Sequence, residues 1–213
     1  MSACCEHDHG HGRSEGPVDD GYRRVLWIAL AVNAAMFAVE IVAGLTAGSA
    51  ALKADALDFF ADAANYAISL FAIGLAGLWT SRAALLKGAC MAAFGIYVLG
   101  DTALKLATGA VPEPLTMGIV GVVALAANGG VAALLYRHRS GDANRRSVWL
   151  CSRNDAIGNV AVLLAASGVF ASGTGWPDFV VAAVMAGLAL TSARSIIFHA
   201  LDELRRPAAA PAD

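Results

Sequence analysis

The stretch ADALDFFADAANYAISLFAIGLAGL (residues 54–78) combines two properties that seldom occur together. It is long and apolar enough to cross a bilayer, because a spanning helix needs about 20 mostly apolar residues. Its first nine residues nevertheless contain three acids, Asp55, Asp58 and Asp62. Spacings of three and four residues place the three carboxyl groups on one face of a helix. The stretch therefore predicts a transmembrane helix with one acidic face.

The rest of the chain is similarly apolar. Of its 213 residues, 58% are hydrophobic and only 15% are charged, whereas about 25% of a soluble domain is charged. Segments long enough to span a bilayer lie at residues 25–46, 54–78, 84–106, 115–136, 148–171 and 178–198. The predicted fold is an all-α membrane protein with six transmembrane helices, which form one transport domain over residues 22–204.

The basic residues are unevenly distributed between the two sides of these spans. An even number of spans puts both termini on one side. Lys53 and Lys105 fall on the opposite side, and Arg153 falls inside span five. The remaining basic residues lie on the side of the termini: Arg13, Arg23, Arg24, Arg82, Lys87, Arg137, Arg139, Arg145, Arg146, Arg194, Arg205 and Arg206. The positive-inside rule then predicts that both termini are cytoplasmic.

Spans one and four share a short pattern, LAVNAA (residues 30–35) and LAANGG (residues 125–130). An intramembrane acid follows each asparagine at a similar interval, Asp58 after Asn33 and Asp155 after Asn128. Three spans in each half would make the halves inverted repeats, an arrangement that places transport sites near the midplane. Coincidence in a background rich in Ala, Gly and Leu is the alternative.

Span five carries a second polar pair, Asp155 and Asn159, one helical turn apart. Counted from the span ends, this pair and the pair Asp58 and Asp62 both fall near the middle of a core about 30 Å thick. Four oxygen ligands suffice for a tetrahedral divalent cation. An Asp near the bilayer centre costs about 2.5–3.5 kcal/mol, which favours a bound cation. The alternatives are helix caps, pairing with Arg153, or a proton relay without metal.

Together these motifs resemble the cation diffusion facilitator family, over the region from Tyr22 to about Leu204. The resemblance rests on six spans with both ends on one side and on polar residues in four of them. These are the pattern ADAxDxxxD ending at Asp62, the pair in span five, Asn33 and Glu40 in span one, and Asn128 in span four.

The resemblance implies a homodimeric antiporter in a bacterial inner membrane. Such a protein exports Zn²⁺ or a similar divalent metal from the cytoplasm in exchange for protons, by alternating access. Carried over by motif position, the metal ligands would be Asp58, Asp62, Asp155 and Asn159. Metal and protons would be cargo, so neither a resident cofactor nor an enzymatic activity is expected.

Two features depart from the family pattern. The span-five pair ends in Asn159, where the family has an acid, and an amide oxygen can bind metal but cannot carry a proton. The resulting all-oxygen ligand set is harder than a typical zinc site and would admit Fe²⁺, Mn²⁺ or Co²⁺. The family's cytoplasmic C-terminal domain is also expected to be missing, which would leave dimerisation to the membrane helices.

The predicted tails at residues 1–21 and 205–213 are polar and expected to be disordered. The first tail contains ligands suited to Zn²⁺, Cd²⁺ or Cu, namely Cys4, Cys5, His7, His9 and His11. A flexible segment does not preform a rigid site, so we predict weak metal capture. A solvated tail with incidental ligands is the alternative.

Other polar residues in the spans are assigned structural roles. Glu40 is on the same helical face as Asn33 and is expected to hydrogen bond to a neighbouring helix, with proton movement as the alternative. Asp101 and Lys105, four residues apart, predict an ion pair at a helix end.

Two other functions share parts of this pattern. A membrane-embedded, metal-dependent enzyme, such as a lipid headgroup transferase, would need several acids near a helix end rather than at mid-membrane. A passive metal channel would share the site but show no proton dependence. The formal charge of −2 gives no reason to expect a nucleic acid partner.

Overall fold

The computed structural model describes residues 20–71, 77–137 and 143–205, where the regular structure is helical. The helices are α1 (Asp20–Thr46), α2 (Ala50–Phe71), α3 (Gly77–Thr108), α4 (Pro114–Tyr136), α5 (Ala143–Ser172) and α6 (Trp176–Arg205). The predicted all-α fold with six helices is therefore confirmed. The predicted ligands Cys4, Cys5, His7, His9 and His11 lie outside the described residues, as does the C-terminal tail beyond Arg205.

Several helices are longer than the predicted spans. α3 begins at Gly77 instead of residue 84, α5 begins at Ala143 instead of 148, and α6 ends at Arg205 instead of 198. The added turns of α5 and α6 are polar or charged, so they continue the helix without adding to the hydropathy. α2 begins four residues earlier than predicted, at Ala50.

α2 is the polar helix at the centre of the bundle. Of the six helices in the described part of the chain, the other five are each long and apolar enough to cross a membrane. α2 carries Lys53, Asp55, Asp58 and Asp62, and it packs against α1, α3, α5 and α6. At about 1.5 Å per residue its 22 residues extend about 33 Å, enough to cross the hydrocarbon core. Enclosure by its neighbours allows this charged helix to lie within the membrane.

The main packing partners are α1 with α2, α4 with α5, and α3 with α6. Two three-helix halves related by symmetry would pair in this way, and the inverted repeat stays a prediction. The core around the first half of α2 is built largely from small side chains, including Ala50, Ala51 and Ala54. Large apolar side chains such as Phe170 are exposed on the outside, as expected of a surface that faces lipid.

Three short loops, at residues 47–49, 109–113 and 173–175, lie at one end of the bundle, here called the loop end. Asp178 of α6 holds this end together by capping α2. Its carboxylate accepts hydrogen bonds from Ser49 Oγ at 2.6 Å, Ala50 N at 2.8 Å and Ala51 N at 3.0 Å. The first N–H groups of a helix have no partner within the helix, so this cap explains why α2 begins at Ala50. The opposite end of the bundle is the terminal end.

Lys53 lies inside the bundle, which corrects its predicted position in a loop. Its side chain is 1% exposed, and its ammonium pairs with Asp101 of α3. Asp101 also pairs with Lys105 at 2.8 Å, so the predicted ion pair is present. Lys105 in turn donates to Gly48 O at 2.9 Å. A buried Lys can be tolerated here because Asp101 compensates its charge.

Candidate metal site

Asp62 and Asp155 meet between α2 and α5, near the middle of the bundle. Asp62 is 5% exposed and Asp155 is half-buried, and their side chains interact. Tyr66 Oη donates to Asp62 Oδ2 at 3.1 Å and shares a hydrogen bond with Ser152 Oγ at 2.8 Å. We call Asp62, Tyr66, Ser152 and Asp155 the inner layer, because they lie closer to the terminal end than Asp55 does.

A buried lysine of α3 faces the inner layer. Lys87 is 5% exposed, and its Nζ donates to Asn65 Oδ1 at 2.5 Å. It also interacts electrostatically with Asp62. By its position in the sequence, Lys87 is predicted to be one of the basic residues that mark the terminal side. The structure instead buries it, because the Asp62 carboxylate compensates its charge and the Asn65 amide oxygen accepts its hydrogen bond.

Asn159 makes different contacts from those predicted for a fourth ligand. Its Nδ2 donates to Asp55 Oδ2 at 2.6 Å, and its Oδ1 accepts from Asn128 Nδ2 at 2.9 Å. All three side chains are buried. Since an ionised carboxylate can only accept hydrogen bonds, Asp55 fixes which end of the Asn159 amide faces it. Binding of metal by Asn159 Oδ1 would use the lone pair that the bond to Asn128 leaves available, or would replace that bond.

Glu40 of α1 lies on the other side of Asp55. It is 0% exposed, and its carboxyl group interacts with Asp55 and lies within electrostatic range of Asp58. No hydrogen-bond donor among the described residues reaches either of its oxygens. The side chain that Glu40 meets on the neighbouring helix is thus a second acid. We call Glu40, Asp55, Asn128 and Asn159 the outer layer.

The predicted ligands are therefore divided between two layers. Asp62 and Asp155 belong to the inner layer and Asn159 to the outer layer, while Asp58 is half-buried between them on α2. Within residues 20–71, 77–137 and 143–205, no three His, Cys, Asp or Glu side chains are already grouped around a common metal position. A bound cation would have to draw the carboxyl groups together.

Several residues of these layers are not among the predicted ligands. Asp55 is on the same helical face as Asp58 and Asp62, and that spacing was the signal that could have included it. Tyr66 follows Asp62 by one further turn, whereas Ser152 has no comparable signal. Arg153, considered as a partner for the acids, is exposed, and its guanidinium donates to Asn154 and lies over Trp149.

Comparison with known proteins places this arrangement in a family. The cation efflux transmembrane domain matches residues 26–205. Zinc transporter ZitB of Escherichia coli (strain K12) is 28% identical over 218 residues, which cover 93% of this chain and 67% of ZitB. Metal cation efflux system protein CzcD of Cupriavidus metallidurans is 28% identical over 200 residues, or 88% of this chain and 60% of CzcD.

A third relative matches only part of the chain. Vacuolar zinc transporter TgZnT of Toxoplasma gondii is 39% identical over 99 residues, which cover 45% of this chain and 10% of TgZnT. The chain thus spans about two thirds or less of the length of each of these relatives. The family domain itself is matched over most of the chain. This protein therefore belongs to the cation efflux family and is a multi-pass membrane transporter, not an enzyme.

Proposed function

We propose that this protein exports a divalent transition-metal cation in exchange for protons, by alternating access at Asp58, Asp62 and Asp155. The observation that carries the proposal is the contact between Asp62 and Asp155 inside the bundle of a cation efflux protein. Zn²⁺ is the first candidate cargo, because two of the relatives are named zinc transporters. The oxygen ligands also suit Fe²⁺, Mn²⁺ and Co²⁺, and Cd²⁺ belongs in the same test.

The chemistry of the inner layer supports exchange of metal for protons. Two carboxyl groups can hydrogen bond to each other only if one of them holds a proton. A divalent cation binds the deprotonated form, so metal and protons compete for the same oxygens. When the site faces the side of lower pH, Asp62 and Asp155 bind protons and the metal is released. Tyr66 holds Oδ2 of Asp62 in place through both steps, and Ser152 in turn holds the Tyr66 hydroxyl.

Asn159 is proposed as a neutral ligand that joins the site during transport. Its amide oxygen also accepts a hydrogen bond from Asn128, so its ligation of a metal is linked to the contact between α4 and α5. Because an amide does not bind a proton in this range, Asn159 adds affinity without adding to the proton count. The three acids then supply the exchangeable protons.

Orientation, assembly and the tail complete the proposal. The excess of basic residues at the terminal end supports cytoplasmic termini, so export would run from the terminal end to the loop end. Relatives in Escherichia coli and Cupriavidus metallidurans support a bacterial inner membrane. We also propose a homodimer formed through the membrane helices, and capture of metal by Cys4, Cys5, His7, His9 and His11.

Flux into proteoliposomes tests the proposal. The purified full chain is reconstituted, and uptake of Zn²⁺, Cd²⁺, Fe²⁺, Co²⁺ and Mn²⁺ is followed with and without a pH gradient. Asp62→Asn keeps the size of the side chain but removes its charge, so uptake should fall to the level of empty liposomes. Asp202→Asn, which changes an exposed acid of α6, is the matched control and should transport like the wild type.

The possible outcomes separate the candidate functions. Uptake that depends on the pH gradient and is lost only in Asp62→Asn supports antiport and ranks the metals. Uptake that does not depend on the pH gradient overturns antiport in favour of a passive channel. No uptake of any metal by the wild type overturns the transport proposal.

A further inference from the structure

The outer layer contains two acids that the proposed transport site does not use. Glu40 is 0% exposed and Asp55 is 1% exposed, and their carboxyl groups are direct neighbours across α1 and α2. Of the two, Asp55 receives a hydrogen bond from Asn159 Nδ2. Glu40 receives none from the described residues. Two buried carboxyl groups thus share a single amide donor.

A further acceptor belongs to the same network. Asn128 is 2% exposed, and its Nδ2 is engaged by Asn159 while no donor in the described part of the chain reaches its Oδ1. Buried acceptors normally have a hydrogen-bond partner, because leaving one without a partner costs about 1–3 kcal/mol. Here both oxygens of Glu40 and Oδ1 of Asn128 lack one. The layer is rich in oxygen acceptors and poor in positive charge.

The lysines on or near α2 contact groups other than Glu40 and Asp55. Lys53, two residues before Asp55, pairs with Asp101, and Lys105 pairs with Asp101 and Gly48 O. Lys87 contacts Asn65 and interacts with Asp62. When both acids are ionised, a cation from outside the chain would therefore supply the counter-charge that these lysines do not, because buried like charges without a counter-ion are strongly unfavourable.

We propose that Glu40 and Asp55, with the amide oxygen of Asn128, form a second divalent-cation site in the outer layer. Carboxylate and amide oxygens without nitrogen or sulfur ligands suit a hard divalent cation such as Mn²⁺. Asp55 precedes Asp62 by seven residues, so this site lies about 10 Å nearer the loop end than the inner layer. The binding site can be detected without transport. Only its role as an intermediate binding site for the transported metal depends on the proposed function.

Equilibrium binding of Mn²⁺ alone to the purified full chain in detergent micelles tests the second site. Free Mn²⁺ is counted by its electron paramagnetic resonance signal. Mn²⁺ also limits interference from the tail, because thiol and imidazole ligands favour softer ions. The titration compares wild type with Glu40→Gln, Asp62→Asn and the control Asp202→Asn. Each substitution keeps the size of the side chain and removes one charge.

We expect Glu40→Gln to lose one bound Mn²⁺ per chain, or to bind it at least about tenfold more weakly. Asp62→Asn should keep the Mn²⁺ that depends on Glu40, and Asp202→Asn should match the wild type. If Glu40→Gln does not fold, Asp55→Asn removes a charge from the same site and must show the same loss.

Three results would overturn the second site. They are a Glu40→Gln titration identical to that of the wild type, loss of all Mn²⁺ binding in Asp62→Asn, and no binding by the wild type. In the first case the two acids share a proton instead of a metal, and in the second there is a single site. If Mn²⁺ binding depends on Glu40 but liposomes show no flux, the second site stands and only the proposed function fails.

Discussion

The charged groups at the loop end and those in the middle of the bundle are compensated in opposite ways. At the loop end, Asp178 accepts three hydrogen bonds and Asp101 pairs with two lysines. In the outer layer, Glu40 meets a second acid, and no donor among the described residues reaches it. The two regions share α2, but the loop-end groups lie between α2, α3 and α6, whereas the outer layer lies between α1, α2, α4 and α5. Polar groups that satisfy one another help to stabilise the fold, whereas the acids that no donor reaches are those of the second cation site proposed above.

Asp101→Asn should give the largest loss of stability, because it leaves the Lys53 ammonium buried without its carboxylate. Removing one partner of a buried ion pair typically costs about 3–5 kcal/mol. Asp55→Asn makes the same chemical change in the outer layer, where it removes one of two neighbouring acids of like charge. We therefore expect Asp55→Asn to leave stability unchanged or to raise it. The measurement is unfolding of both variants and the wild type in mixed micelles.

Lys53→Met is the control for this comparison. It replaces the buried ammonium with an apolar group of similar length, and such replacements of buried ions are often nearly neutral. Asp101 would keep its pair with Lys105 in this variant. Equal destabilisation by Asp101→Asn and Asp55→Asn would show that the two regions do not differ as the contacts indicate.

Asp178→Ala should give the next largest effect. The hydroxyl of Ser49 and the N–H groups of Ala50 and Ala51 would lose their shared acceptor in a buried position. We expect a loss of about 2–3 kcal/mol, with Asp178→Asn intermediate because it keeps one oxygen.

Hydrogen exchange locates the effect of this substitution. Amide protons at the start of α2 should exchange faster in Asp178→Ala, whereas those around Asp62 should change little, since they lie three turns away. Unchanged exchange at Ala50 and Ala51 would mean that the cap does not hold this end of the helix.

The helices and the acidic face could be predicted from the sequence because both depend on local spacing. Apolar runs of about 20 residues indicate spans, and acids three or four residues apart indicate one face of a helix. These signals require only neighbours along one helix. They succeeded even though α2 by itself is too charged to qualify as a span.

Contacts between distant residues were not predictable in this way. Asp178 caps a helix that begins 128 residues earlier, and Asn159 binds Asp55 over a separation of 104 residues. Lys53 and Lys87 were assigned to the membrane surfaces because they lie next to or near the ends of the predicted spans. The partners of both lysines lie on neighbouring helices, so the burial of the two lysines could be seen only in the folded bundle.

The smallest predicted effect concerns Glu113, an exposed acid of the loop end. It caps α4 by accepting hydrogen bonds from Leu115 N at 2.9 Å and Thr116 N at 2.5 Å. The hydrogen bonds from Thr116, supported by the N–H of Leu115, hold the pKa of Glu113 below its ordinary value of 4.5. A lowered pKa in the folded state means that the carboxylate stabilises the fold above the unfolded-state pKa, and that this contribution is lost as the pH falls through the folded-state pKa.

Glu113→Gln should therefore be less stable than the wild type at neutral pH, and the difference should shrink once the pH falls below 4.5. The effect is small because water competes for an exposed carboxylate. Unfolding of both proteins over this pH range measures it. A difference that stayed constant with pH would show that the side chain caps α4 through its shape and not its charge. That result would limit the compensated charges of the loop end to the half-buried Asp101 and the buried Asp178.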